Sequence, residues 1–274
     1  MISEASACPR TEPTGRRRSG QSVRGHAPQE RWLDRRKGTR RGRVDRMTFL
    51  ALVRHGETAW NRLGRFTGWA DEPLTAKGEE DARSAGRTLK AITPSWDVVY
   101  MSRLQRAIDT AAFALDEISG TAPLYLSDWR LNERHVGDLE GALHADIASV
   151  HGRPAVERWR WGWDHRPPAV AAGDPRQNTH HERCPEAGAA LPTGESLEDV
   201  VRRVRPWLDD ARGHLMASRN IAAFTHGTTL RALRMVLEGH SPEEMYDLRA
   251  ANGDVVLFRF DSSGNCQLAD AQAS

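Results

Sequence analysis

Apolar positions along the chain switch between two periods. Short apolar runs at Phe49–Val53, Asp97–Met101, Leu124–Leu126, Ile221–Thr225 and Val255–Phe260 have the length and composition of strands. Between them apolar residues step by three and four. Ala82, Ala85, Leu89 and Ile92 form one stripe, and Leu104, Ile108, Ala111, Leu115 and Ile118 a second. Leu197, Val201, Val204, Leu208, Ala211 and Leu215 form a third. Each stripe is one face of an amphipathic helix. Strand–helix alternation of this kind predicts an α/β fold: a three-layer sandwich whose mainly parallel sheet carries helices on both faces. The last run follows a turn at Gly253 and is expected to be the one antiparallel edge strand. Residues 141–192 break the rhythm: they begin helical, then pass through WRWGWDHRPP into a stretch rich in Pro, Gly and His. This reads as a helical insertion followed by a long loop, placed to act as a lid.

Charge divides the chain unevenly. Residues 1–46 carry a net +8 and the remainder −6, within an overall formal charge of +2. The first segment is Arg-rich and nearly free of aliphatic residues, so it is expected to be a disordered extension. Met47 stands where a folded domain would start. The expected organisation is therefore a 1–46 extension, a 47–262 domain with the 141–192 insertion, and a short 263–274 tail. No apolar run approaches the roughly 20 residues of a membrane span, and no signal-peptide core is visible. Cys8, Cys184 and Cys266 are too widely spaced for a disulfide framework or a metal set, so a reducing cytoplasm is expected. The cluster His180, His181, Glu182 and Cys184 has metal-capable atoms in no zinc-like spacing and reads as a solvated loop. Trp159, Trp161 and Trp163 either line a lid or pack the insertion. No Walker-type or G-x-G-x-x-G run is present, so no nucleotide cofactor is implied.

Two strand-like runs end in His-Gly pairs: RHGETAWN, Arg54 to Asn61, follows the first, and THGTTLR, Thr225 to Arg231, follows the fourth. In an open α/β sheet, ligands bind at the C-terminal ends of the strands. Two imidazoles flanked by arginines suit a phosphate, one as nucleophile and one as a charge-stabilising neighbour. Neutral imidazole is nucleophilic at pH 7, and a guanidinium fork matches phosphate oxygens. Gly56 offers close backbone approach to a phosphate.

These blocks, together with RFTGWAD (Arg65 to Asp71), SRLQRAIDTA (Ser102 to Ala111) and LNERHVGDLEG (Leu131 to Gly141), resemble the histidine phosphatase superfamily. Within it the chain is most similar to the cofactor-dependent phosphoglycerate mutases. The resemblance implies His55 as the residue that becomes phosphohistidine and Arg54 and Arg106 as the phosphoryl grip. It implies His226 as the second phosphate-facing imidazole and Glu133 as general acid/base. It also implies substrate contacts from Gly56, Glu57, Thr58, Asn61, Thr67, Gly68, Arg134, His135, Val136, His144, Arg160, Trp161, Gly227 and Thr228. No prosthetic group and no metal are implied; a mutase would take 2,3-bisphosphoglycerate as priming phosphoryl donor. The expected partner is a small phosphorylated substrate, with no membrane, and a homodimer is compatible with the resemblance.

The chain also departs from the resembling mutases. Val136 stands for their Tyr, His144 for a Lys, Trp161 for the second Arg of a pair beginning at Arg160, and Thr228 for Asn. Their longer Lys- and Gly-containing tail is missing here. The apparatus for a second anionic group thus loses a Lys, an Arg and a phenol, which points to a substrate with one phosphate and a less anionic remainder. Three functions remain on the sequence: a mutase exchanging phosphoryl between the 2- and 3-hydroxyls of glycerate, a phosphatase giving the phosphohistidine to water, and a binding protein whose basic arm recruits nucleic acid. The last is disfavoured, since a binding module needs neither histidine.

Overall fold

The computed structural model describes residues 47–118 and 122–269. The 1–46 extension and the last five residues lie outside the described residues. A six-stranded sheet is built from β1 (Thr48–Arg54), β2 (Val98–Met101), β3 (Leu124–Ser127), β4 (Ile221–Thr225), β5 (Val255–Phe260) and β6 (Cys266–Ala269), in the order β3-β2-β4-β1-β5-β6. β3, β2, β4 and β1 are parallel, while β5 runs antiparallel to β1 and β6 antiparallel to β5.

Alternation within β1 shows why there are three layers. Leu50 and Leu52 face the core that holds α7 (Leu197–Met216) and α8 (Gly227–Glu238), while Ala51 and Val53 face α2 (Ala76–Ile92) and α3 (Gln105–Asp116). All four side chains are inaccessible to solvent. A strand buried on both faces must be apolar at every position, as β1 and β4 nearly are. Every member of the 197–215 stripe is buried. The helix starts are fixed locally: Ser196 and Asp199 form a capping box on α7, and Thr58 and Asn61 form one on the short α1 (Ala59–Leu63).

Three features differ from the sequence reading. The edge strand is β6, not β5: part of the expected tail pairs with β5, so the sheet ends in two antiparallel strands. α8 carries the second His-Gly run directly into a helix that no stripe marked. The insertion forms α4 (His144–His151), α5 (Arg153–Trp161) and then α6 (Pro175–Arg183), so the expected long loop is interrupted by a helix. α6 lacks an apolar stripe. It starts on the Asp174 side chain, which accepts from Arg176 N at 2.9 Å, with Pro175 at its first position. Two small clusters pin the insertion to the domain: Val156 with Phe66, Val136 and Leu139, and Cys184 and Ala187 with Trp69 and Leu104.

Candidate active site

The register of three adjacent parallel strands assembles the site. Arg54 pairs with Thr225 across β1 and β4, and Met101 with Phe224 across β2 and β4. The next residue on each strand is His55, His226 or Ser102, so three strand ends deliver these side chains together. His55 N donates to Thr225 O at 2.9 Å and Ser102 N to Phe224 O at 3.1 Å, which locks the strand ends. The two imidazole centroids lie 5.0 Å apart.

His55 is buried, and its Nδ1 lies 2.7 Å from the Gly56 carbonyl oxygen. A carbonyl only accepts, so Nδ1 carries the proton and Nε2 keeps its lone pair. Nε2 receives Arg106 Nε–H at 3.3 Å. Burial, then Arg106 and Arg54, hold the His55 pKa well below that of a free imidazole, so the ring is neutral at pH 7. Arg106 itself is fixed by donation to Gly68 O at 2.9 Å and Ala70 O at 2.8 Å. Its pKa falls to about 10, mainly through burial, which still leaves it charged. Gly68 offers that carbonyl from a left-handed backbone (φ 54°), where a Cβ would also meet Val136.

His226 Nε2 lies 2.7 Å from Ser102 Oγ, which accepts from Leu104 N at 3.2 Å. This contact anchors the ring at Nε2 from the tip of β2, while Nδ1 is a buried nitrogen with no partner. Burial, then Arg106 and His55, lower the His226 pKa as well. Glu133 accepts from Arg134 N at 2.7 Å and from Thr228 N, at the start of α8, at 3.2 Å. Arg54 donates to Ala250 O at 2.6 Å, and its buried Nε has no partner.

Above these groups opens a cavity of about 320 Å³. Arg54, His55, Asn61, Thr67, Gly68, Arg106, Glu133, Arg134, Val136, His144, Arg160, Trp161, Gly227 and Thr228 line it. His226 is fully buried beside His55 and is not one of the lining residues. Four expected contact residues are elsewhere. A Cβ on Gly56 would overlap the Gly78 carbonyl oxygen, so this glycine serves packing of the strand end against α2, not approach to a phosphate. Glu57 accepts from Thr75 Oγ1 at 2.9 Å, and buried Thr58 caps α1. His135 Nδ1 accepts from Gly137 N at 3.0 Å and its Nε2 faces His180 Nδ1 at 3.2 Å, so the ring turns away from the cavity. Of the cluster read as a solvated loop, His181 and Glu182 are exposed as expected, while His180 and Cys184 are buried and His180 to Glu182 lie on α6. Among the described residues no three metal-ligating side chains come together. The tryptophans divide: Trp161 lines the cavity, Trp159 packs beside Phe66, and Trp163 packs on the main core.

Sequence reasoning missed Arg65, Phe66, Arg231, Leu248, Arg249, Ala250 and Asn252 on the wall. Asn252 Nδ2 donates to His55 O at 3.0 Å and to Asn61 Oδ1 at 3.2 Å. A signal existed. An antiparallel β5 brings its entry loop beside the exit of β1, and Arg231 stands one helical turn after Gly227. Val136, His144 and Trp161, the positions where the chain departs from the resembling mutases, all lie on this wall, among seven arginines and a single carboxylate, Glu133.

Comparison with known proteins agrees with this geometry. The sequence profile of the histidine phosphatase superfamily (branch 1) matches residues 50–187 and 169–270. The chain is 38% identical over 217 residues to a 2,3-bisphosphoglycerate-dependent phosphoglycerate mutase of Lachnoclostridium phytofermentans, covering 78% of this chain and 87% of the relative. It is similar in structure to the alpha-ribazole phosphatase of Shigella flexneri, with a TM-score of 0.57, 27% identity, and coverage of 81% of this chain and 95% of the other. A mycobacterial glucosyl-3-phosphoglycerate phosphatase shares the fold, with a TM-score of 0.60, 24% identity, and coverage of 84% and 100%. No described helix is long and apolar enough to cross a membrane. The paired imidazoles at neighbouring strand ends, the buried Arg106 and the matched profile place this chain in the histidine phosphatase superfamily, branch 1.

Proposed function

We propose that this protein is a 2,3-bisphosphoglycerate-dependent phosphoglycerate mutase, which interconverts 3- and 2-phosphoglycerate through a phosphohistidine on His55. The observation that carries the reading is the fixed tautomer of His55: Nδ1–H is held by the Gly56 carbonyl, and a neutral Nε2 lone pair faces the buried Arg106. Attack by Nε2 forms the N–P bond as the P–O bond breaks. Arg106 and Arg54 donate to the phosphoryl oxygens, where charge builds, with His226 beside His55 as the second imidazole of the site. A proton on Glu133 passes to the leaving oxygen, and the resulting carboxylate takes one from the accepting hydroxyl. Bisphosphate would prime His55. A cavity walled by seven arginines suits so anionic a donor.

A phosphatase reading has its own support. Val136 takes the place of a phenol, and His144 is held neutral, its pKa lowered to about 4 by burial and then by Arg160. In that reading water replaces the accepting hydroxyl. One assay separates the two: primed protein converts 3-phosphoglycerate to 2-phosphoglycerate if it is a mutase, whereas release of inorganic phosphate with no 2-phosphoglycerate rejects the mutase.

A further inference from the structure

Glu133 stands in a stretch, 132–136, that is neither helix nor strand, so no backbone ladder fixes its carboxylate. A guanidinium from α7 grips this stretch instead. Arg203 Nη1 donates to Arg130 O at 2.8 Å, Asn132 O at 3.1 Å and Trp129 O at 3.3 Å, and Nη2 donates to Glu133 O at 3.3 Å. The Glu195 carboxylate sets the guanidinium: Oε1 accepts from Nε at 2.7 Å and Oε2 from Nη2 at 3.0 Å. Glu195 also holds the chain just beyond Glu133, since its Oε2 accepts from His135 N at 2.9 Å and its N donates to His135 O at 2.8 Å. The two side chains are 5% and 4% exposed. Desolvation offsets much of what such a buried pair gains, so it matters less for stability than for the four carbonyls and one amide it holds in place. Neither residue lines the cavity of His55 and Glu133; both line a separate cavity of about 470 Å³.

We infer that Arg203, oriented by Glu195, is the positioning residue for Glu133: by gathering the backbone carbonyls on either side of it, the guanidinium sets the carboxyl where it can protonate the leaving oxygen. The inference rests on the acid/base role of Glu133 in the proposed function and holds whether a hydroxyl or water later accepts the phosphoryl group. A planar fork with five donors serves four carbonyls and a carboxylate at once; a lysine ammonium, a compact charge with three donors, cannot. Misplacing a reacting group by about 1 Å costs up to about 10²-fold in rate.

The test compares phenyl phosphate with p-nitrophenyl phosphate, esters of similar shape whose leaving groups differ in their need for a proton. kcat/KM covers the steps through leaving-group departure, so it reports that proton whatever accepts the phosphoryl group afterwards. Arg203→Lys is expected to lower kcat/KM about 10–10²-fold for phenyl phosphate and about threefold or less for p-nitrophenyl phosphate. Glu195→Gln is expected to show the same selectivity at smaller size, and it decides alone if Arg203→Lys does not fold. In Glu133→Gln protein, whose own loss falls mainly on phenyl phosphate, adding Arg203→Lys is expected to leave the ratio between the esters within about twofold, because the carboxyl it positions is gone. A general loss of folded structure would lower both esters alike. Equal losses on the two esters in the Arg203 and Glu195 variants, no loss in either, or a ratio that falls further in the double variant overturns the inference and leaves the acid role of Glu133 standing. Equal losses on both esters in Glu133→Gln remove that role, and the inference with it.

Discussion

The two ends of the cavity are built in opposite ways. At the phosphoryl end, His55, His226 and Ser102 sit at the tips of three hydrogen-bonded parallel strands, and short hydrogen bonds orient both rings and Arg106, leaving Arg54 Nε and His226 Nδ1 without a partner. Gly56 O holds His55, Ser102 holds His226, and the Gly68 and Ala70 carbonyls hold Arg106. At the distal end, Arg160 and Trp161 come from the insertion, Arg231 from α8 and Arg249 from the loop before β5. Ring stacking holds them, and two buried guanidinium groups keep free N–H donors. The contrast implies a division of labour. A preorganised end stabilises the transition state at no cost of reorganisation, while an adaptable end chooses the remainder of the substrate.

The largest test of that division is His55→Ala, which is expected to lower kcat by at least about 10⁴-fold, as for removal of a nucleophile. Residual turnover within tenfold of the native rate would erase the distinction between the two ends. Arg106→Met is next, with an expected loss of about 10²–10³ in kcat. It also strands the Gly68 and Ala70 carbonyls, so the melting temperature is expected to fall; an unchanged melting curve would show that Arg106 is not the brace described here.

Much of the first end was legible because it is local. A strand, a His-Gly pair and a flanking arginine fall within a few residues, and apolar runs as uniform as Ile221–Thr225 locate the strands. The distal end was not legible, because Trp161, Arg231 and Arg249 meet only through tertiary packing. The substitution at Trp161 read as lost charge until its neighbours were known. α6 escaped because its lone buried residue, His180, leaves no stripe, and β6 because it is short and leaves Leu268 half exposed. The roles of Glu57, Thr58 and His135 were misplaced for a related reason: adjacency to a motif does not say which way a side chain points.

Smaller effects sharpen the contrast. Glu133→Gln is expected to slow transfer from a poor leaving group about 10²-fold or more, and less from p-nitrophenyl phosphate, whose leaving group needs no proton. Equal losses on both substrates would remove Glu133 from acid catalysis. The pH response follows from the buried imidazoles. His135 falls to about 3 and His180 to about 4, each mainly through burial, so both stay neutral in the fold while the unfolded chain binds protons below its ordinary pKa of ~6.5. Stability is therefore full above about pH 6.5 and declines as pH drops from there toward 4. His55 and His226 shift the same way, so the acid limb of kcat/KM should lie below pH 6.5. A melting temperature flat from pH 7 to 4.5, or half-loss of kcat/KM at pH 6.5, would contradict these assignments. Smallest is Thr58→Ala, which removes the α1 cap and is expected to cost about 1 kcal/mol of stability with KM unchanged, since Thr58 does not reach the cavity wall. A raised KM would return Thr58 to the site.

The most direct measurement is to quench the native protein during reaction with a radiolabelled phosphorylated substrate and to map the label by peptide mass spectrometry. The account predicts one acid-labile, base-stable phosphoryl group, on the peptide containing His55. Label on any other residue, or turnover with no labelled protein in the quenched sample, would contradict it.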